Sequence, residues 1–132
     1  MIVVDTNILI HFYFPSDFSE VSEKVFLKDP NWIAPILWRS EFKNVVLGFY
    51  RKKIIDFNKA IEAIEKAENR MQGREHSVSS LLVMDLAKET KCTSYDCEFV
   101  ALAKVKDISF VTWDGAILTA FPQISLSPKN FI

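Results

Sequence analysis

Glycine and proline are scarce, 3 and 5 in 132 residues, and no stretch reads as a flexible or proline-stiffened linker. Two cysteines, Cys92 and Cys97, are too few to staple a fold, and their spacing is not the C-x-x-C of a zinc site. Reduced thiols in a cytoplasmic setting are the default expectation. Neither sign of charge dominates: Lys+Arg number 16 against Asp+Glu 17, a formal net charge of −1. A basic coat that grips nucleic acid regardless of sequence is thereby excluded, and any polyanion needs a local patch. No apolar run approaches the roughly 20 residues of a bilayer-spanning helix. The opening Met1-Ile2-Val3-Val4-Asp5 lacks the basic-then-apolar order of a signal peptide, so no secretory leader is expected. There is no internal repeat.

What is present is a globular balance, 49% hydrophobic and 25% charged, in a length that suits one domain over residues 1–132. The β-branched run Ile2-Val3-Val4 predicts a fully buried strand ending at Asp5. Ser16-Asp17 offers a cap for a helix through about Lys28, closed by Asp29-Pro30. Trp32–Ala34 reads as a second strand stopped by Pro35. Helices follow from Ile36 to about Lys53 and from Asp56 to about Met71, then a polar break at Gly73–His76. Ser77–Ser79 suggests a short strand, and 80–90 and 96–106 suggest helices. Ile108–Thr112 is a clear strand, Gly115–Ala120 a short helix and Ile124–Leu126 an edge strand. Alternation of strands with helices implies a parallel sheet, since parallel neighbours need helical crossovers. Strands this apolar have no wet face. The expected architecture is a three-layer α/β/α sandwich around a parallel sheet of about four or five strands.

Four acids stand out by position. Asp5 and Asp114 follow predicted strands, and in open parallel sheets the carboxyl ends of strands form the ligand crevice where strand order reverses. Aspartate also favours strand exits and helix caps for purely local reasons. Glu41 falls within the apolar arc of its helix, which helical spacing draws through Trp38, Phe42, Val45 and Phe49. A carboxylate there needs a salt-bridge partner or a metal. Asp96 shares a face with Phe99, Val100 and Ala103, either as a plain amino-terminal cap or as an inward ligand. Crowded carboxylates repel, and a hard divalent cation such as Mg²⁺ or Mn²⁺ relieves the conflict while keeping waters for a phosphate substrate. Such an ion polarises phosphoryl oxygen and acidifies bound water, so phosphodiester hydrolysis is the chemistry this pattern suits.

Val4-Asp5-Thr6-Asn7, Ser40-Glu41, Ser94-Tyr95-Asp96 with Val100–Ala103, and Val111-Thr112-Trp113-Asp114 occur in an order and spacing that resembles the PIN domain, more narrowly the VapC-type toxin ribonucleases. The resemblance covers essentially the whole chain. It implies a Rossmann-like sandwich and Mg²⁺- or Mn²⁺-dependent cleavage of RNA by metal-activated water, in the toxin of a toxin–antitoxin pair. It also implies an acidic metal site of Asp5, Glu41, Asp96 and Asp114, with Asp5 and Asp96 as direct ligands. Glu41 and Asp114 would complete a second position or hold metal-bound waters, and Thr6, Asn7 and Thr112 would orient the carboxylates. Trp113 departs from the pattern, standing where members often carry a polar or charged residue.

The remaining features are less specific. Arg51-Lys52-Lys53, the one run of three bases, is either an RNA contact or a solvated helix end. His11 reads as packed or solvent-facing, His76 in its polar break as exposed, and the cysteines as small fillers. Phe12, Tyr13, Phe14, Phe18 and Phe26 are either an aromatic core or a patch for a homodimer or an antitoxin peptide of VapB type. A non-catalytic RNA- or protein-binding module is the alternative function. An aspartyl-nucleophile phosphatase would need an acid at position 7, where Asn7 stands.

Overall fold

Ile2–Val4 forms β1, and the chain runs on through α1 (Thr6–Tyr13), α2 (Ser19–Lys28), β2 (Trp32–Pro35), α3 (Trp38–Arg51), α4 (Phe57–Met71) and β3 (Glu75–His76). It continues through α5 (Ser80–Ala87), α6 (Ser94–Lys106), β4 (Phe110–Val111), α7 (Gly115–Ala120), β5 (Ser125–Leu126) and α8 (Pro128–Phe131). The structure, a computed structural model, describes residues 1–132. All four strand pairings are parallel, in the order β3-β2-β1-β4-β5. The strand order therefore reverses at β1, between β2 on one side and β4 on the other.

Register and handedness fix the layers. Val3 pairs with both Ile33 and Phe110, so these three share one face, while Ile2 and Trp32 share the other. Phe99 of α6 stacks on Phe110 at 5.6 Å, which puts α6 on the first face. Phe12 of α1 and Phe26 of α2 meet the Trp32 ring edgewise at 5.2 and 5.3 Å, which puts those helices on the second. Right-handed crossovers require this change of face when the direction of strand addition reverses. The result is the expected α/β/α sandwich, with a core cluster of 23 buried hydrophobic residues around β1.

Several local expectations shift. Thr6–Tyr13 is helical, an element the periodicity does not predict. Its β-branched and aromatic residues are poor helix formers, but Asp5 accepts the Thr6 N–H as N-cap and burial of Ile8, Leu9 and Ile10 holds the helix. Helix α2 starts at Ser19 because Ser16 instead accepts the Phe18 N–H and meets His11. Strand β2 includes Pro35, paired with His76, so the third strand lies at Glu75–His76 rather than Ser77–Ser79 and His76 is half-buried. On α3 the buried stripe is Trp38, Phe42 and Val46, and Val45 is exposed. The aromatic residues divide: Phe12, Tyr13, Phe14 and Phe26 pack on the core, while Phe18, Tyr50 and Phe57 are exposed. No helix is long and apolar enough to cross a membrane.

Helix α3 is tied to the sheet edge by one carboxylate. Glu75 accepts from Arg39 Nε at 2.6 Å, Arg39 Nη2 at 2.8 Å and the indole N–H of buried Trp38 at 2.8 Å. These bonds, Arg39's first, hold the Glu75 carboxyl below its ordinary range. A depressed carboxylate contributes stability above its unfolded pKa that is lost as pH falls through the folded value. Glu75→Ala is expected to cost about 2–3 kcal/mol at pH 7, because it also orphans the Trp38 N–H. The difference from wild type should shrink below pH 4. Urea unfolding across pH measures both, with the exposed Glu62→Ala as a control expected to stay close to wild type throughout.

Candidate active site

Asp5 sits where β1 ends and α1 begins. Its N–H donates to Val111 O at 3.0 Å, which extends the β1–β4 ladder and sets Thr112 beside it. The buried Thr112 hydroxyl donates to Asp5 Oδ2 at 2.6 Å and accepts the Asp114 N–H at 3.0 Å. The Thr6 N–H donates to Asp5 Oδ1 at 2.7 Å, and the Thr6 hydroxyl donates to Glu41 Oε1 at 2.7 Å. Asn7 braces the same corner, its amide reaching Asp5 Oδ2 at 3.4 Å while its Oδ1 accepts the Trp113 N–H at 3.4 Å. Three polar side chains thus connect β1, α3 and β4 through two carboxylates.

The other acids arrive by ordinary capping. Asp114 is the N-cap of α7, its Oδ1 accepting from Ala116 and Ile117. Asp96 is the third residue of α6 and not its cap: Thr93 caps the helix, and Asp96 accepts the Thr93 N–H in a reciprocal capping box. Glu41 lacks the Lys or Arg partner that a core-facing acid calls for, and Thr6 supplies its hydrogen bond. It continues along α3 as the stripe Glu41, Val45, Phe49, one step round from the buried stripe.

These elements enclose a hollow of about 380 Å³ lined by Asp5, Thr6, Asn7, Ile10, His11, Glu41, Val45, Phe49, Asp96 and Asp114, with no Lys or Arg among them. Burial pushes the Asp5 carboxyl up to about 7, with the Glu41 and Asp96 charges adding to it and the bonds from Thr112 and Thr6 opposing. Glu41 is raised as well, first by burial and then by the charges of Asp96 and Glu98. Thr112 lies behind the hollow. Ile10, His11, Val45 and Phe49 were not expected to line it, although positions 7→11 and 41→45→49 carry the i,i+4 signal that would have placed three of them. Burial lowers the His11 pKa, and its Nδ1 lies 2.8 Å from Ser16 Oγ, so the ring is neutral near pH 7.

The four carboxylates, with no Lys or Arg among the lining residues, have the donor chemistry of a hard divalent site. As the side chains stand, no three His, Cys, Asp or Glu groups converge closely enough to hold an ion. Arg51, Lys52 and Lys53 are exposed, unpaired and outside the hollow, about 15 Å of helix rise beyond Glu41. Cys97 is buried with its thiol pushed up to about 11, and neither cysteine lines the hollow.

Asp5→Asn is expected to stabilise the protein in a chelator. A carboxyl raised in the fold keeps a proton that the unfolded chain has released. Wild-type stability therefore falls between about pH 4 and about pH 7 and levels off above. The advantage of the variant should open across that window, toward an upper bound of about 4 kcal/mol. Urea midpoints at pH 5 to 8 read it. A variant less stable than wild type at pH 8 would mean that the hydrogen bonds to Asp5 outweigh its burial.

Comparison with known proteins agrees with this architecture. No curated protein matches the chain significantly. The solved structure of PAE2754 from Pyrobaculum aerophilum superposes with a TM-score of 0.78 at 18% identity, covering 98% of this chain and 90% of that one. FitAcB from Neisseria gonorrhoeae superposes with a TM-score of 0.73 at 15% identity, covering 98% and 99%. At such identities the likeness is one of fold. The family model for the PIN domain, a fold whose members are generally nucleases, matches residues 2–120. The chain belongs to the PIN domain family.

Proposed function

We propose that residues 1–132 act as one domain with Mg²⁺- or Mn²⁺-dependent endoribonuclease activity, as the VapC-type toxin of a cytoplasmic toxin–antitoxin pair. The observation that carries this reading is the set of four carboxylates, from four separate segments, lining one hollow that no cationic side chain enters. Asp5 and Asp96 would hold the metal, with Glu41 and Asp114 completing its surroundings. When bound, the ion supplies Lewis-acid polarisation of a phosphoryl oxygen and a water of lowered pKa. The chain's own part is orientation. Thr112, Thr6 and Asn7 fix the Asp5 carboxylate, Thr6 fixes Glu41, and the backbone of α7 fixes one oxygen of Asp114 and leaves the other free. Cleavage leaves a 5′-phosphate and a 3′-hydroxyl.

Three partners fit this reading. The exposed Arg51-Lys52-Lys53 end of α3 suits RNA phosphates flanking the cut. A hollow of about 290 Å³ between the end of α1 and α4, apolar through Tyr13, Phe14 and Ile55, with Lys59 at its rim and Lys66 already paired to Glu62 at 2.8 Å, suits an apolar segment of an antitoxin. Exposed Tyr50 and Phe57, 5.8 Å apart, suit a homodimer contact. The spread of the carboxylates favours one other reading, a non-catalytic RNA- or protein-binding module.

Asp96→Asn is expected to reduce Mn²⁺-stimulated cleavage of a mixed RNA pool at least about a hundredfold. Titration with Mn²⁺ should raise the wild-type melting temperature by several degrees through mass action, and that of Asp5→Asn should stay flat. Metal-induced stabilisation without cleavage would select the binding module. Replacing Arg51, Lys52 and Lys53 together by Ala should weaken RNA binding and reduce its log-salt slope by about 2.

A further inference from the structure

Beside the carboxylate hollow, α5 and the first turns of α3 and α6 enclose a second one of about 500 Å³. The two share a wall. Leu37, one turn before Glu41, and Tyr95, adjacent to Asp96, line the second hollow. Its volume is that of a small-molecule site. Its chemistry is not that of a phosphate site, because no Lys or Arg lines it. Leu37, Val78 and Met84 make it apolar, and Tyr95, 60% exposed, supplies an aromatic wall. Glu98, half-buried, points an acceptor into it and is engaged by no donor or cation of the protein.

We propose that this hollow is a base-recognition pocket, in which Tyr95 stacks one nucleobase of the RNA strand and Glu98 accepts its amino group. The inference rests on the nuclease reading, which sets a phosphate at the adjoining carboxylates. Aromatic stacking is how proteins hold unpaired bases, and it is indifferent to base identity. Selection then falls to Glu98. A carboxylate accepts from the exocyclic amino groups of cytosine and adenine and from the ring N3–H of uracil, but only guanine offers it a ring N–H and an amino group side by side. The negative surroundings, with Glu98 near enough to Glu41 for their charges to repel, disfavour a phosphate but not a neutral base. The pocket therefore favours guanine at one fixed position beside the cut.

The test sequences the ends produced from a randomised RNA by Mn²⁺-loaded wild-type protein and by Tyr95→Leu, Tyr95→Phe and Glu98→Gln. Wild type should show guanine enriched at a single position flanking the cut. Tyr95→Leu should raise KM about tenfold with kcat little changed, and Tyr95→Phe should retain wild-type values. Glu98→Gln, whose amide both donates and accepts, should lose that enrichment. Cleavage by Tyr95→Leu with unchanged KM and an unchanged base profile overturns the proposal. So does a change in sedimentation on Tyr95→Leu without a change of profile, which makes the face a contact between copies of the chain. A separate arm measures anisotropy of labelled U₅G and U₆ RNA with Asp5→Asn and with Asp5→Asn/Glu98→Gln, and needs no cleavage. If wild type does not cut at all, the nuclease reading fails. A preference for U₅G that Glu98→Gln abolishes then still upholds the pocket, and equal binding of both strands by both proteins removes it.

Discussion

A carboxylate placed at the buried end of the central strand governs this molecule. Strand β1 lies where strand order reverses, so its carboxyl end opens onto a crevice between neighbours reached by different crossovers. Asp5 occupies that point, and the Thr112 hydroxyl from β4 holds it at 2.6 Å. Removal from water makes its charge unfavourable, and the acids of α3 and α6 make it more so. The strand that carries it is buried on both faces, with Ile2, Val3 and Val4 all in the core. A ligand that brings positive charge gains what the protein has forgone.

The acids reach the hollow through local roles that any helix has. Asp114 caps α7, Asp96 closes the capping box of α6, and Asp5 caps α1. In Asp96 and Asp114 these bonds engage a single oxygen, whereas both oxygens of Asp5 accept hydrogen bonds. Capping and convergence are therefore two uses of the same side chains. Glu41 is the exception, held only by Thr6, and its position depends on how α3 is anchored. Glu75, through Arg39 and Trp38, provides that anchor from the edge strand.

The sheet and most helices were legible in the chain because burial on both faces writes itself as unbroken apolar runs such as Ile2-Val3-Val4. The four acids were legible because each interrupts or ends such a run. Helix α1 was hidden: Ile8-Leu9-Ile10 reads equally well as a strand, and only the Asp5 cap and tertiary burial decide the matter. The displacement of β3 was hidden by its length, two residues whose register depends on Ala34 and Pro35 in another segment. That His11 lines the hollow was hidden for the same reason as α1, since its direction is unknown until the helix exists. The shift from Val45 to Val46 on α3 reflects a stripe that slants around the helix, which spacing alone locates to within one residue.

Helix α1 has a further consequence. Its first turn carries Thr6 and Asn7, which hold Asp5 and Glu41, and its last carries Phe12 and Tyr13, which pack against Trp32 and Phe42. At eight residues it spans about 12 Å, too short to flex between its ends. One short element therefore carries both the polar bracing of the acidic crevice and part of the aromatic core, so a substitution at Phe12 or Tyr13 falls on the same helix that positions the Thr6 hydroxyl.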